Sequence, residues 1–139
     1  MQDIQTEIRA IVAGDNPRLA EIIRSTLAEF KADKPGTVYF DASTDALSEL
    51  FTTPGSCYFV ACVNGKIIGG AGIYPSAGLP PDTCELVKMY LLPEARGRGL
   101  GRELLNRCLI FARHYGYRHI YLETMPELHL ALALYRKSG

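Results

Sequence analysis

Arg96-Gly97-Arg98-Gly99-Leu100-Gly101 stands between a β-rich run, residues 84–91, and a run of helical periodicity that opens at Leu100. Its placement says more than its glycines do. Where a chain passes from a strand into a helix, the first helical amides lack partners and the macrodipole is positive, so an anion can accept several hydrogen bonds there. Glycine lets a phosphate approach the backbone, and Arg96, Arg98 and Arg102 add local positive charge. The run is not a P-loop, which needs Gly-x-x-x-x-Gly-Lys followed by Ser or Thr. Nor is it the dinucleotide fingerprint. Arg102 stands three residues after Gly99, where glycine is wanted, and the strands upstream read as a hairpin and not as βαβ units. The competing reading is a glycine-rich turn that holds no ligand.

Downstream of the loop, Leu100, Leu104, Cys108 and Phe111 fall on one helical face, widened by Leu105, Leu109 and Ala112, until Gly116 ends the helix. Residues 120–123 read as a short strand, and Leu128, Ala131, Leu132 and Tyr135 mark a final helix. Upstream, residues 57–63 and 66–74 form two strands separated only by Asn64-Gly65, a strong hairpin signal, and residues 75–82 form a loop rich in Pro and Gly. Residues 6–12 alternate as a strand would. Gly14-Asp15-Asn16-Pro17 then supplies a turn, an N-cap candidate and a proline suited to a first helical turn. Leu19, Ile22, Ile23, Leu27 and Phe30 give that helix a buried stripe, ending near Lys34-Pro35-Gly36. Asp41 or Ser43 can cap a shorter helix carrying Leu47, Leu50 and Phe51.

The chain's 139 residues suit one domain, 1–139, and hence one site. Apolar residues make up 47% and charged residues 22%, an ordinary globular composition. Fifteen basic residues balance fifteen acidic ones, so no molecule-wide field draws the protein to nucleic acid or to an anionic membrane. Any anion site must therefore be local. Cys57, Cys62, Cys84 and Cys108 form no C-x-x-C pair and read as reduced core residues. No segment reads as a secretion signal or a membrane span, which makes the cytoplasm the expected compartment. His114, His119 and His129 form no ligand cluster, and no metal is expected.

On these residues the chain resembles the GCN5-related N-acetyltransferase (GNAT) superfamily, whose pyrophosphate motif is Gln/Arg-x-x-Gly-x-Gly/Ala at the start of a central helix. Arg96, Gly99 and Gly101 match it in order. Glu85-Leu86-Val87-Lys88-Met89-Tyr90-Leu91-Leu92-Pro93-Glu94 is similar to the family's splayed central strand and the Pro-Glu turn that often follows. Residues 131–139 are similar to its final-helix signature. The resemblance implies an α/β (α+β) fold: a mixed, mostly antiparallel central sheet flanked by about four helices. It implies acetyl-CoA as cosubstrate, with pantetheine along the backbone of Met89, Tyr90 and Leu91. The pyrophosphate would lie on the amides of Arg96, Gly97, Arg98, Gly99, Leu100, Gly101 and Arg102. The Leu91 amide would face the thioester oxygen, a preorganised donor for developing charge.

Transfer to an amine needs a base for the nitrogen and an acid for the departing thiolate. Tyr135 matches the family's tyrosine near the CoA sulfur, and a phenol with a pKa of about 10 can protonate a thiolate. The other reading of Tyr135 is a core tyrosine with its hydroxyl bonded elsewhere. Glu85 lies where the family often places a carboxylate base acting through water, with Glu123 in reserve. The expected acceptor is an amine of a small molecule or peptide; the alternative is a non-catalytic CoA-binding module or sensor. Family members continue past the final glycine into two further strands, whereas this chain stops at Gly139. That ending fits either a C-terminal truncation or a natively short gene. The sheet edge it would leave exposed invites a homodimer.

Overall fold

A computed structural model describes residues 5–29, 42–97 and 99–122. Arg98, Glu123, His129, the Lys34-Pro35-Gly36 breaker and the helix expected around Tyr135 lie outside the described residues. The hairpin forms as its sequence requires. Asn64 (φ 51) and Gly65 (φ 80) both take left-handed conformations, whose twist suits a two-residue connection between β2 (Cys57–Val63) and β3 (Lys66–Tyr74). Asn64 also exchanges hydrogen bonds with Gln5, through its amide (2.8 Å) and its side-chain oxygen (2.9 Å). These bonds fix the start of β1 (Thr6–Ala10) against the hairpin. With β4 (Thr83–Leu91) and β5 (His119–Leu122), the strands form one sheet in sequential order. Every pairing is antiparallel except β4 with β5, which is parallel.

Period-two alternation sends successive side chains of β2 to opposite faces. Tyr58, Val60 and Cys62 pack with Leu19, Ile23 and Leu27 of α1 (Asn16–Glu29) and with Leu47 of α2 (Leu47–Leu50). On the other face Ala61, Ala71, Ile73, Cys84 and Leu86 pack with Leu100, Leu104, Leu105, Cys108 and Ala112 of α3 (Leu100–Tyr115). Gly116, at φ +107, closes α3 as its position in the sequence implies, its amide bonding the Ala112 carbonyl at 3.1 Å.

Three local expectations need correction. The first strand stops at Ala10, short of Val12, because the Val12 amide is taken by the Asp15 carboxylate at 2.9 Å. Asp15 therefore caps the turn before α1 and not α1 itself. It is buried and held by Arg9 through two bonds, of 2.8 and 2.9 Å. The segment near Leu47 is a 3-10 turn, Ala42–Ala46, followed by a single α-turn, and Phe51 lies just past it. Asp41 and the side chain of Ser43, the expected caps, lie outside the described residues. Asn16 on α1 accepts from the Ser48 amide (2.8 Å) and donates to the Ser48 hydroxyl (2.9 Å), joining the two helices.

Candidate functional site

The centre of the candidate site is an irregularity in β4. Gly70 pairs with Tyr90 and Gly72 with Val87, so two residues of β4, Lys88 and Met89, stand opposite Ala71. Lys88 takes φ +54, which costs a residue with a Cβ about 1–2 kcal/mol. Its carbonyl accepts a 2.7 Å hydrogen bond from the hydroxyl of Tyr58, a residue only 1% exposed. A bulge adds one residue and so inverts the facing of everything after it. Cys84 and Leu86 point toward α3 ahead of the bulge, while Met89 and Leu91 do so beyond it. The side chains of Met89 and Leu91 therefore pack against the core on the α3 side, and Tyr90 touches both clusters.

Beyond Leu86 the strand pairs with β3 on one side, and its pairing with β5 has ended among the described residues. The Leu92 amide donates to the Ile68 carbonyl on β3 at 2.9 Å. Backbone groups alternate along a strand, so those of Leu91 face away from β3. Its carbonyl accepts from Arg96 Nε at 3.1 Å and Nη2 at 2.9 Å.

Arg96 was expected to lend charge to a phosphate, but its side chain turns back along the fold. The guanidinium grips the Glu29 carboxylate at the end of α1 through two bonds of 2.7 and 2.8 Å, holding that carboxyl below its ordinary pKa. Arg96 thus braces α1 against the end of β4, with much of its charge matched by Glu29. Gly97 and Gly99 both stand at φ +80 with nothing within 4 Å of an added Cβ. Glycine there serves conformation, beside open space. At Gly101 a Cβ would meet Leu91 Cδ1 at 3.3 Å and Met89 Cε at 3.4 Å, so this residue sets how closely α3 lies on β4.

The first intrahelical bond of α3 runs from the Glu103 amide to the Gly99 carbonyl at 3.1 Å, leaving the amides of Leu100, Gly101 and Arg102 ahead of the ladder. The Arg102 side chain is exposed at this end. Three amides, a positive helix terminus and an open glycine loop fit a pyrophosphate. A strand whose Leu91 amide faces away from its neighbour fits a pantetheine arm.

Glu85 lies on the opposite face of the sheet from Cys84 and Leu86, half-buried, in register with Tyr74 on β3 and Tyr121 on β5. Ser76 Oγ donates a short hydrogen bond to its carboxylate. Tyr74 Oη lies 3.3 Å from Thr53 Oγ1. Carboxylate, hydroxyl and phenol thus share one face beside the strand. The cysteines are free; burial pushes the Cys57 thiol up to about 12 and the Cys84 thiol to about 11, so both are protonated and unreactive at neutral pH. Among the described residues no three His, Cys, Asp or Glu side chains gather as metal ligands. His114 and His119 are exposed.

Tyr58, Ser76 and Glu29 were not anticipated from sequence. A signal for Tyr58 existed in Gly69-Gly70-Ala71-Gly72, since glycines inside a strand mark a place where another group lies across the backbone. Ser76 sits in an irregular loop, and Glu29 is one of several surface carboxylates; neither carries a pattern.

The acetyltransferase (GNAT) family model matches residues 17–139. The uncharacterized N-acetyltransferase YjgM of Escherichia coli is 41% identical over 134 residues, covering 95% of this chain and 80% of that one. N-alpha-acetyltransferase RimI of Mycobacterium tuberculosis is 36% identical over 94 residues, covering 68% of this chain and 58% of its own length. The chain spans about half, 52%, of human N-acetyltransferase 8. Among solved structures, yncA from Salmonella typhimurium with its cofactor acetyl-CoA superposes with a TM-score of 0.78 at 23% identity, covering 97% of this chain and 79% of that one. With most of its length matched by the family model and a bulged strand leading into an amide-rich helix start, this chain belongs to the GNAT acetyltransferase family.

Proposed function

We propose that the protein moves an acetyl group from acetyl-CoA to a primary amine of a small molecule or peptide by direct attack. The observation that carries this reading is the junction of β4 and α3, where the outward amide of Leu91 leads into the unladdered amides of Leu100, Gly101 and Arg102. In this reading the loop from Arg96 to Arg102 holds the pyrophosphate, and Met89, Tyr90 and Leu91 hold pantetheine through their backbone. Glu85, oriented by Ser76, takes a proton from the acceptor amine through water. The amine nitrogen bonds to the acetyl carbon, the Leu91 amide stabilises the oxygen as it gains charge, the C–S bond breaks, and Tyr135 returns a proton to the thiolate.

The acceptor is an amine whose neighbouring groups meet the face shared by Glu85, Tyr74 and Ser76. The likeness to RimI keeps peptide N-termini among the candidates beside small amines. The cytoplasm is the compartment this reading implies, in keeping with four unpaired thiols. A thiol-release assay over a panel of amines and N-terminal peptides tests the activity. With an acceptor found, Tyr135→Phe should lower kcat roughly 10²-fold or more, the scale of a lost general acid, and leave acetyl-CoA affinity within about twofold. Unchanged turnover would remove Tyr135 from the mechanism.

A further inference from the structure

The bulge in β4 is held from two strands away. Tyr58 projects from β2, and its register partner on β3 is Gly72. A Cβ on Gly72 would come within 2.7 Å of Tyr58 Cδ2, and one on Gly70 within 2.7 Å of its hydroxyl oxygen. The two glycines thus form a track along which the phenol ring crosses β3 to reach β4. Phe51 closes the ring from the helix side, with centroids 5.0 Å apart. At the far end the hydroxyl donates to the carbonyl of Lys88, the residue in the left-handed conformation. The contact is thus made at the point where β4 inverts its facing. A phenylalanine would fill the same space, so packing alone does not explain the hydroxyl. Burial raises the phenol far above its ordinary pKa, which keeps it a neutral donor.

We propose that Tyr58 is a positioning residue for acetyl-CoA, holding the β4 bulge across the glycine track so that the Leu91 amide stays directed toward the cofactor. The proposal rests on the reading of β4 as the pantetheine-binding strand. Tyr58 touches neither substrate in this scheme and acts only through Lys88.

Tyr58→Phe isolates the hydroxyl, because the ring that fills the track is kept. Two measurements on the full chain, at a temperature well below its Tm, separate the latch from its consequence. Amide hydrogen exchange at Tyr90 and Leu92 in the free protein reads the latch, and calorimetric titration with acetyl-CoA reads the consequence. We expect faster exchange at both amides and a Kd raised about three- to tenfold, the scale of one lost hydrogen bond. Adding Lys88→Gly should recover most of that loss, since glycine adopts a positive φ without strain. Exchange unchanged by Tyr58→Phe, or a Kd within twofold of wild type, overturns the proposal. A weakened Kd that Lys88→Gly leaves uncorrected also overturns it, by assigning the effect to loosened packing. Wild-type protein that binds no acetyl-CoA overturns the cofactor reading itself, and exchange at Tyr90 and Leu92 then still decides whether Tyr58 holds the bulge.

Discussion

Gly99 and Gly101 are two residues apart and match the same motif, yet they are glycine for different reasons. Gly99 holds φ +80 in open space, so a methyl group there meets nothing and the penalty is conformational. Gly101 lies inside α3, where alanine gains about 1 kcal/mol of helix propensity against a contact of 3.3 Å with Leu91. Gly99→Ala should therefore destabilise the fold by about 1–2 kcal/mol, whereas Gly101→Ala should change stability by less than about 0.5 kcal/mol. Urea denaturation of both variants checks this; equal losses would mean that the left-handed conformation at Gly99 is not enforced. The loop was legible in the sequence because glycine and arginine cluster at a predictable strand-to-helix junction. What the arginine side chain does was not legible, since the carboxylate that Arg96 grips is that of Glu29, far away in sequence and one acid among fifteen.

At the scale of elements, the hairpin and α3 were readable to within a residue because Asn64-Gly65 and Gly116 are local conformational demands. The bulge in β4 was not. Residues 86–92 are apolar except for Lys88, so alternation gives no contrast to reveal where facing inverts. The end of β1 was misjudged for a similar reason: the competing partner of the Val12 amide is a side chain, that of Asp15. This pair also sets a pH dependence. The Arg9 guanidinium holds the Asp15 carboxyl below its ordinary value, so its contribution is fully present above the unfolded pKa of about 3.9 and is lost as pH falls through the lower folded value. Asp15→Asn should destabilise the protein by roughly 1–3 kcal/mol at pH 7, and the gap to wild type should narrow as pH drops below about 4. Denaturant midpoints at several pH values test this, and a gap constant with pH would show that the carboxylate charge is not what Arg9 and Val12 hold.

Across the whole molecule, balanced charge means that the proposed pyrophosphate site relies on local dipoles and oriented amides, and the three-layer arrangement brings those amides to one end of a bulged strand. Two cores on opposite faces fix β4 from both sides. The buried stripe of each helix was legible from hydrophobic periodicity and the sheet flanked by helices from the family resemblance, while the coupling between layers, through Arg96 and Glu29, Asn16 and Ser48, and Tyr58 and Lys88, depends on pairs distant in sequence. The measurement that tests the central claim most directly is calorimetric titration of the folded chain with acetyl-CoA, beside a variant carrying Gly99→Glu and Gly101→Glu. Those changes place bulk and negative charge at the start of α3. Micromolar binding by the wild type, abolished in the variant, is the predicted result; equal binding by both proteins, or none by the wild type, would contradict a pyrophosphate site at this junction.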